Sequence, residues 1–113
     1  MKTVSIVEII NTPNAIIKKF GEELYLSLLP HIKLNEPVCI DFKGLNNLTS
    51  GFCNASIGRL YFEFPSTAPK LISFANLLNN EIWSEKVNDA IYLAINPNKS
   101  QLQDSALALL FAD

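Results

Sequence analysis

The sequence is poor in cysteine and glycine and has no excess of positive charge. Its 113 residues include two cysteines, four glycines and a single histidine, and nine basic residues stand against eleven acidic ones. This slightly negative balance excludes the dense positive surface that duplex nucleic acid requires of a protein. No apolar run approaches the roughly 20 residues that a membrane-spanning helix needs. We therefore expect neither a nucleic-acid nor a membrane partner.

Export and disulfide signals are also missing. Glu8 interrupts the short apolar run at the N-terminus, and no small-residue cleavage site follows it. Cys39 and Cys53 lack CxxC spacing, so we expect two reduced, mostly buried thiols. With 49% apolar residues, the chain is large enough for one domain core and too small for two ordinary ones. These features predict a soluble, cytoplasmic protein with one domain over residues 1–113.

The motifs that usually carry an enzymatic reaction do not occur in the sequence. It has no glycine-rich phosphate loop, no zinc-ligand spacing and no nucleophile elbow. Sequence spacing places no nucleophile or carboxylate beside the one histidine, His31. We therefore expect a non-enzymatic protein without catalytic, cofactor-binding or metal-binding residues.

The N-terminal residues have the composition of strands. Residues 3–10 are rich in β-branched side chains and predict a strand near a sheet edge. Residues 11–14 read Asn-Thr-Pro-Asn, a strong turn signal, after which residues 15–18 predict a short second strand and hence a hairpin. The alternative for residues 12–19 is a helix with Thr12 as its N-cap.

A helix is predicted next. Four apolar residues recur at every fourth position: Phe20, Leu24, Leu28 and Ile32. We expect this helix to begin near Gly21 and to end near Leu29, because Pro30 would clash with an earlier carbonyl in a helix interior. His31 would then lie in a connection.

The centre of the chain predicts a buried strand and a capped helix. Residues 38–42 are nearly all apolar, which is typical of a central strand that has parallel neighbours and is covered on both faces. Asp41 comes near the carboxyl end of this strand, the edge where open α/β sheets place their ligands. Thr49 is the expected N-cap of a helix over residues 50–64. Its apolar stripe consists of Cys53, Ile57, Leu60 and Phe64.

The C-terminal half continues the alternation of strand and helix. Residues 70–74 predict a strand, and a helix that begins near Ile82 should end before Pro97. Residues 100–112 fit either a final helix, which we favour for its capping-box spacing, or a last strand. This order predicts an α/β fold, with a mixed β-sheet and helices packed against it.

Two motifs in the centre of the chain resemble a known family. IDFKGL at residues 40–45 and LTSGF at residues 48–52 resemble the STAS-like domain family of unknown function, which is related to the STAS domains of bacterial anti-sigma factor antagonists. The resemblance covers residues 38–61. The positions that match the family's pattern are Asp41, Phe42, Gly44, Ser50, Phe52, Leu60 and Tyr61.

The resemblance implies a single-domain STAS-like fold and a regulatory role in bacterial signalling. In anti-sigma factor antagonists the equivalent loop reads Asp-Ser-Ser-Gly-Leu, and its second serine is phosphorylated by a partner kinase of the histidine-kinase ATPase type. Aligned on residues 49–52, the acceptor falls on Ser50, whereas Leu48 stands in place of the motif's aspartate. The resemblance therefore implies a protein partner, a histidine-kinase-like ATPase, and a candidate phospho-acceptor at Ser50.

The first functional hypothesis is a partner-binding surface over residues 46–54, at the start of the predicted helix. Its expected contact residues are Asp41, Asn46, Asn47, Thr49, Ser50, Phe52 and Asn54. The second hypothesis is a small ligand-binding protein or enzyme with a pocket around Asp41, Thr49 and Cys53. Two further alternatives stay open: Thr49 and Ser50 only cap the helix, or the domain self-associates through an edge strand or its apolar C-terminal segment.

Overall fold

Strands and helices alternate along residues 1–96, the part of the chain that the computed structural model describes. The segment 100–112, predicted as a helix or a strand, lies outside the described residues. In chain order the elements are β1 (Lys2–Ser5), α1 (Ile6–Ile10), β2 (Asn14–Ala15), α2 (Lys18–Lys33), β3 (Val38–Asp41), β4 (Asn47–Leu48), α3 (Ser50–Cys53), a π-helical turn (Asn54–Gly58), α4 (Arg59–Glu63), α5 (Ala68–Leu71), β5 (Ile72–Ala75) and α6 (Glu81–Ile95). The segments α3, π-helical turn and α4 follow one another without a break and are called helix 50–63 below.

Three strands form the main sheet in the order β1-β3-β5, and both pairs are parallel. β3 is therefore the central strand, as its apolar sequence predicts. The register places Ser5, Asp41 and Ala75 in one row at the carboxyl edge of the sheet. Parallel neighbours require crossover connections, and those from β1 to β3 and from β3 to β5 contain α2 and helix 50–63. The predicted α/β fold is confirmed.

Only one face of this sheet is fully covered. Val38 and Ile40 of β3 are buried, whereas Cys39, on the opposite face, is half-buried. The cross-strand neighbours of Cys39 are Thr3 and Ser73, and both are exposed. The expectation that β3 is covered on both faces is therefore wrong, because polar neighbours leave its second face open to water.

The predicted strand over residues 3–10 is half strand and half helix. β1 ends at Ser5, because the Ser5 hydroxyl accepts a hydrogen bond from the Glu8 amide (3.3 Å) and caps α1. Asn11 adopts left-handed backbone angles (φ 58°) and ends that helix. The spacing of Ser5 and Glu8 is that of a capping box, a signal that the β-branched composition of the segment obscured.

The predicted hairpin does not form. β2 pairs in parallel with β4, so that Ala15 lies opposite Leu48. Thr12 does not cap a helix either, since its hydroxyl accepts a hydrogen bond from the Asn14 amide (3.2 Å) and closes a turn. Every strand pair within residues 1–96 is thus parallel, and the sheet is not mixed as predicted. Long-range packing decides the partner of a two-residue strand, and local turn signals do not report it.

Helix α2 is longer than predicted and contains Pro30. A proline removes the hydrogen bond to the carbonyl four residues earlier, here that of Leu26. Both residues are exposed, so the missing bond lies on the side of the helix that faces water, where it is tolerated. The helix therefore continues past Leu29, and His31 lies in its last turn, with Nδ1 3.4 Å from a carboxylate oxygen of Glu36. No helix within residues 1–96 combines the length and the apolar content needed to span a membrane.

Helix 50–63 confirms the helix predicted over residues 50–64 and lies between α2 and α6. Its π-helical turn coincides with Ser56, whose buried hydroxyl donates to the Phe52 carbonyl at 2.7 Å. Glycines allow both neighbouring helices to approach closely: a Cβ at Gly21 would lie 2.8 Å from the Phe52 oxygen, and one at Gly58 would lie 3.2 Å from the Ala90 oxygen. Helix 50–63 is consequently buried on more than one side.

The last described elements follow the prediction with shifted boundaries. The strand expected over residues 70–74 is β5, which begins at Ile72 because α5 precedes it. The predicted third helix is α6, and its N-cap is Asn80, whose side-chain oxygen accepts from the Trp83 amide at 3.0 Å.

Candidate functional site

The loop from β4 into helix 50–63 reaches the protein surface. Asn46, Asn47, Ser50 and Gly51 are exposed, and Thr49 is half-buried. Together with the half-buried Asn54 these residues are called the 46–54 surface. It brings together five of the seven contact residues predicted from the sequence.

Phe52 is the predicted contact residue that the structure excludes from this surface. Its side chain is fully buried in the core shared by the helices and the sheet. Because α2 packs against this turn of helix 50–63, the phenyl ring points inward and is not available to a partner. Phe52 therefore anchors the helix start instead of contacting another protein.

Thr49 fixes the start of helix 50–63 in two ways. Its hydroxyl accepts a hydrogen bond from the Phe52 amide at 3.2 Å, which confirms the predicted N-cap. Its backbone amide donates to the Ala15 carbonyl at 3.1 Å, which continues the pairing of β2 with β4. The Thr49 hydroxyl is consequently committed to the fold.

Ser50 differs from Thr49 because its polar groups point outward. Within residues 1–96 its hydroxyl forms no hydrogen bond, and the amides of Ser50 and Gly51 donate to no protein acceptor. A Cβ placed on Gly51 would meet no atom within 4 Å. The positive end of the helix dipole and two N–H groups therefore face solvent beside a free hydroxyl.

An apolar patch adjoins the 46–54 surface. The Asn47 side chain donates to Asn14 of β2 at 2.7 Å, and β2 is followed by Ile16 and Ile17, which are 48% and 44% exposed. Sequence reasoning missed these two isoleucines because it paired their strand with β1. Their exposure beside a surface loop is the kind of feature that marks a contact site.

Lys86 of α6 holds the loop before helix 50–63 through a hydrogen bond to its backbone. Its ammonium group donates to the Leu48 carbonyl at 2.8 Å, just before the helix start. The sequence gives one signal for this inward role, since Lys86 lies four residues before the buried Ala90 and therefore on the same helix face.

Cys53 is not a reactive thiol. It is fully buried, and that burial raises the pKa of Cys53 to about 12 despite the opposing effect of the nearby Lys86 ammonium. The thiol is therefore neutral and inaccessible. This agrees with the buried thiol predicted from the apolar stripe of the helix.

Asp41 organises the carboxyl edge of the sheet. Its carboxylate accepts from the side-chain amide of Asn76 at 2.7 Å and from the backbone amide of Lys43 at 3.0 Å. These two hydrogen bonds, the one from Asn76 being the stronger influence, lower the pKa of Asp41. Asp41 therefore joins the loop after β3 to the loop after β5.

Within residues 1–96, Asp41, Thr49 and Cys53 do not share an open pocket as predicted, because Cys53 is fully buried. A groove of about 380 Å³ opens instead beside Asp41, and neither Thr49 nor Cys53 lines it, because both are committed to the start and the core of helix 50–63. Its lining residues are Phe42, Lys43, Gly44, Leu45, Asn76, Asn79, Asn80 and Trp83. In the described part of the chain, no three metal-ligating side chains converge on one point.

The chain was compared with protein families, curated proteins and solved structures. A family model described as a STAS-like domain of unknown function matches residues 21–81, which is more than half of the chain. This range includes most of α2 together with β3, the 46–54 surface, helix 50–63 and β5. None of the curated proteins or solved structures gave a significant match.

Proposed function

The chain belongs to the family of STAS-like domains of unknown function, and on this premise we propose that it is a non-enzymatic regulatory module that binds a protein partner through the 46–54 surface. One observation carries the proposal. Ser50 and Gly51 are exposed at a helix start whose flanking residues are held rigidly by the rest of the domain.

The rigidity of the 46–54 surface favours binding. The Thr49 cap, the pairing of β2 with β4 and the hydrogen bond from Lys86 to Leu48 hold its backbone from three sides. A surface that is ordered before binding loses little conformational entropy when a partner docks. The helix start therefore presents a fixed shape to its partner.

The composition of the surface fits a protein partner. Ile16 and Ile17 supply exposed apolar area, while Asn46 and Asn47 supply uncharged polar groups. Interface cores are typically depleted of charged side chains. The resemblance to anti-sigma factor antagonists suggests the class of partner, an ATPase of the histidine-kinase type.

Phosphorylation of Ser50 would act as a switch on this surface. A phosphoserine carries nearly two negative charges, and the free amides of Ser50 and Gly51 at the helix start would stabilise it. The same charges would have to be desolvated when a neutral interface closes over them. Modification would therefore stabilise the free domain and weaken its complex.

The test first isolates an ATPase-type partner by pull-down with the domain and then measures the affinity of that partner for variants of the domain by calorimetry. Ser50→Asp should weaken binding at least about tenfold, whereas Ser50→Ala should stay within about twofold of the unmodified protein. Ser66→Asp is the matched control, because Ser66 is an exposed serine beyond the far end of helix 50–63, roughly 20 Å away by the helical rise.

Two outcomes contradict the proposal at different levels. Equal binding by Ser50→Asp and Ser50→Ala would reject the switch while leaving the surface untested. Gly51→Arg addresses the surface itself, because the structure leaves open space at Gly51 and the fold should accept the side chain. Undiminished binding by Gly51→Arg would reject the 46–54 surface as the docking site.

A further inference from the structure

From the groove beside Asp41 we infer a second binding site, for a small organic anion with a flat ring. The groove lies at the carboxyl ends of β3 and β5, where their continuing chains separate. Open α/β sheets place ligands at this edge. Its volume of about 380 Å³ lies within the range of small-molecule sites.

The two walls of the groove are held at a fixed distance. One wall is the loop after β3, with Lys43 and Gly44, and the other is the connection that contains Asn76 and Asn79. The Asp41 carboxylate binds both, through the Lys43 amide and the Asn76 side chain. The groove is therefore formed before any ligand arrives.

Several polar groups of the groove are already used by the fold. The Asn76 side chain donates to Asp41, and the Asn80 side-chain oxygen caps α6. Two polar side chains remain for a ligand. Lys43 and Asn79 are exposed, and within residues 1–96 neither forms a hydrogen bond or an ion pair through its side chain.

The side chains of the groove that the fold does not use favour an anion with an aromatic ring. Among the described residues that line the groove, Lys43 carries the only charge, and its exposed ammonium group, which also attracts the Asp41 carboxylate beside the groove, is available to a ligand. Phe42 and Leu45 form an apolar floor, and the partly exposed indole of Trp83 forms part of the wall of the groove. Charge-assisted hydrogen bonds to Lys43 and ring contacts with Trp83 would bind the two ends of such a molecule.

The chain reports binding through its own fluorescence, because Trp83 is its one tryptophan. The probes are benzoate and phenyl phosphate, which carry the two anionic head groups, together with the neutral benzamide and the ringless acetate. Titration at constant ionic strength should give a saturable change with at least one of the aromatic anions. Benzamide and acetate should each bind at least about tenfold more weakly.

Variants assign the binding to the groove. Lys43→Ala should weaken the aromatic anion about tenfold or more, and Lys43→Arg should largely restore it. Lys70→Ala, which removes an exposed lysine of α5, is the matched control and should change nothing. The inference is overturned by the lack of a saturable change with both anions, by equal affinity for benzamide or acetate, or by equal effects of Lys43→Ala and Lys70→Ala.

Discussion

Replacing Gly21 by alanine tests the helix contact that holds the 46–54 surface in place. The added Cβ would lie 2.8 Å from the Phe52 carbonyl oxygen and 2.9 Å from the Ala55 Cβ. A backbone oxygen cannot rotate away as a flexible side chain does, so α2 and helix 50–63 must separate by roughly half an ångström. Such overpacking costs about 1–3 kcal/mol, and the better helix propensity of alanine returns at most about 1 kcal/mol. We expect a net loss of about 1–2 kcal/mol in the free energy of unfolding.

Gly51→Ala is the matched control for this change. It makes the same substitution near the start of a helix, but the new Cβ meets no atom within 4 Å. Only the propensity gain remains, so the variant should be more stable by a few tenths of a kcal/mol to about 1 kcal/mol. Urea denaturation of both variants measures the difference. If Gly21→Ala is as stable as Gly51→Ala, the close contact between α2 and Phe52 does not exist as described.

Three further predictions concern the cap, a buried tyrosine and the two thiols. Thr49→Ala should cost about 1 kcal/mol in urea denaturation and Thr49→Ser much less, because only the hydroxyl caps the helix; equal losses would contradict the cap. Burial, and then the Glu63 carboxylate that accepts from its hydroxyl, raise the pKa of Tyr25 to about 12. The stabilisation that the protonated hydroxyl provides is therefore complete below pH 10 and is lost as the pH rises toward 12. Tyr25→Phe should flatten the decline in denaturation midpoint over that interval, and an unchanged slope would contradict the assignment. A thiol reagent at mildly alkaline pH should label Cys39 in the folded protein and both thiols after unfolding, because Cys53 is fully buried; rapid labelling of Cys53 in the native state would contradict its burial.

Local signals in the sequence were sufficient for the centre of the fold. The apolar run of β3, the Thr49 cap and the apolar spacing of helix 50–63 each predict the observed element, because each depends on neighbours in sequence. Pro30 shows the limit of this reasoning. Its tolerance inside α2 depends on the exposure of this side of the helix, which only the packed structure determines.

The errors in the candidate site have a common origin in tertiary packing. The single apolar stripe predicted for helix 50–63 includes Cys53, which is therefore expected to be buried. It does not include Phe52, which is therefore expected at the surface. Helix 50–63 lies between α2 and α6, however, so its buried face is wider than one stripe and includes Phe52. Ile16 and Ile17 were missed for a related reason, since the pairing of β2 with β4 joins segments about thirty residues apart. Ser50 and Gly51, which face solvent at the helix start, lie where the motif places them.

Hydrogen–deuterium exchange of the domain, alone and with the proposed ATPase-type partner, tests the proposed docking site most directly. The amides of Ser50 and Gly51 have no acceptor within residues 1–96 and should exchange rapidly in the free protein. The partner should slow exchange in the peptide covering residues 46–54, while the exposed face of α6 should keep its free-state rate. Protection of α6 with unchanged exchange at residues 46–54 would contradict the proposed docking site.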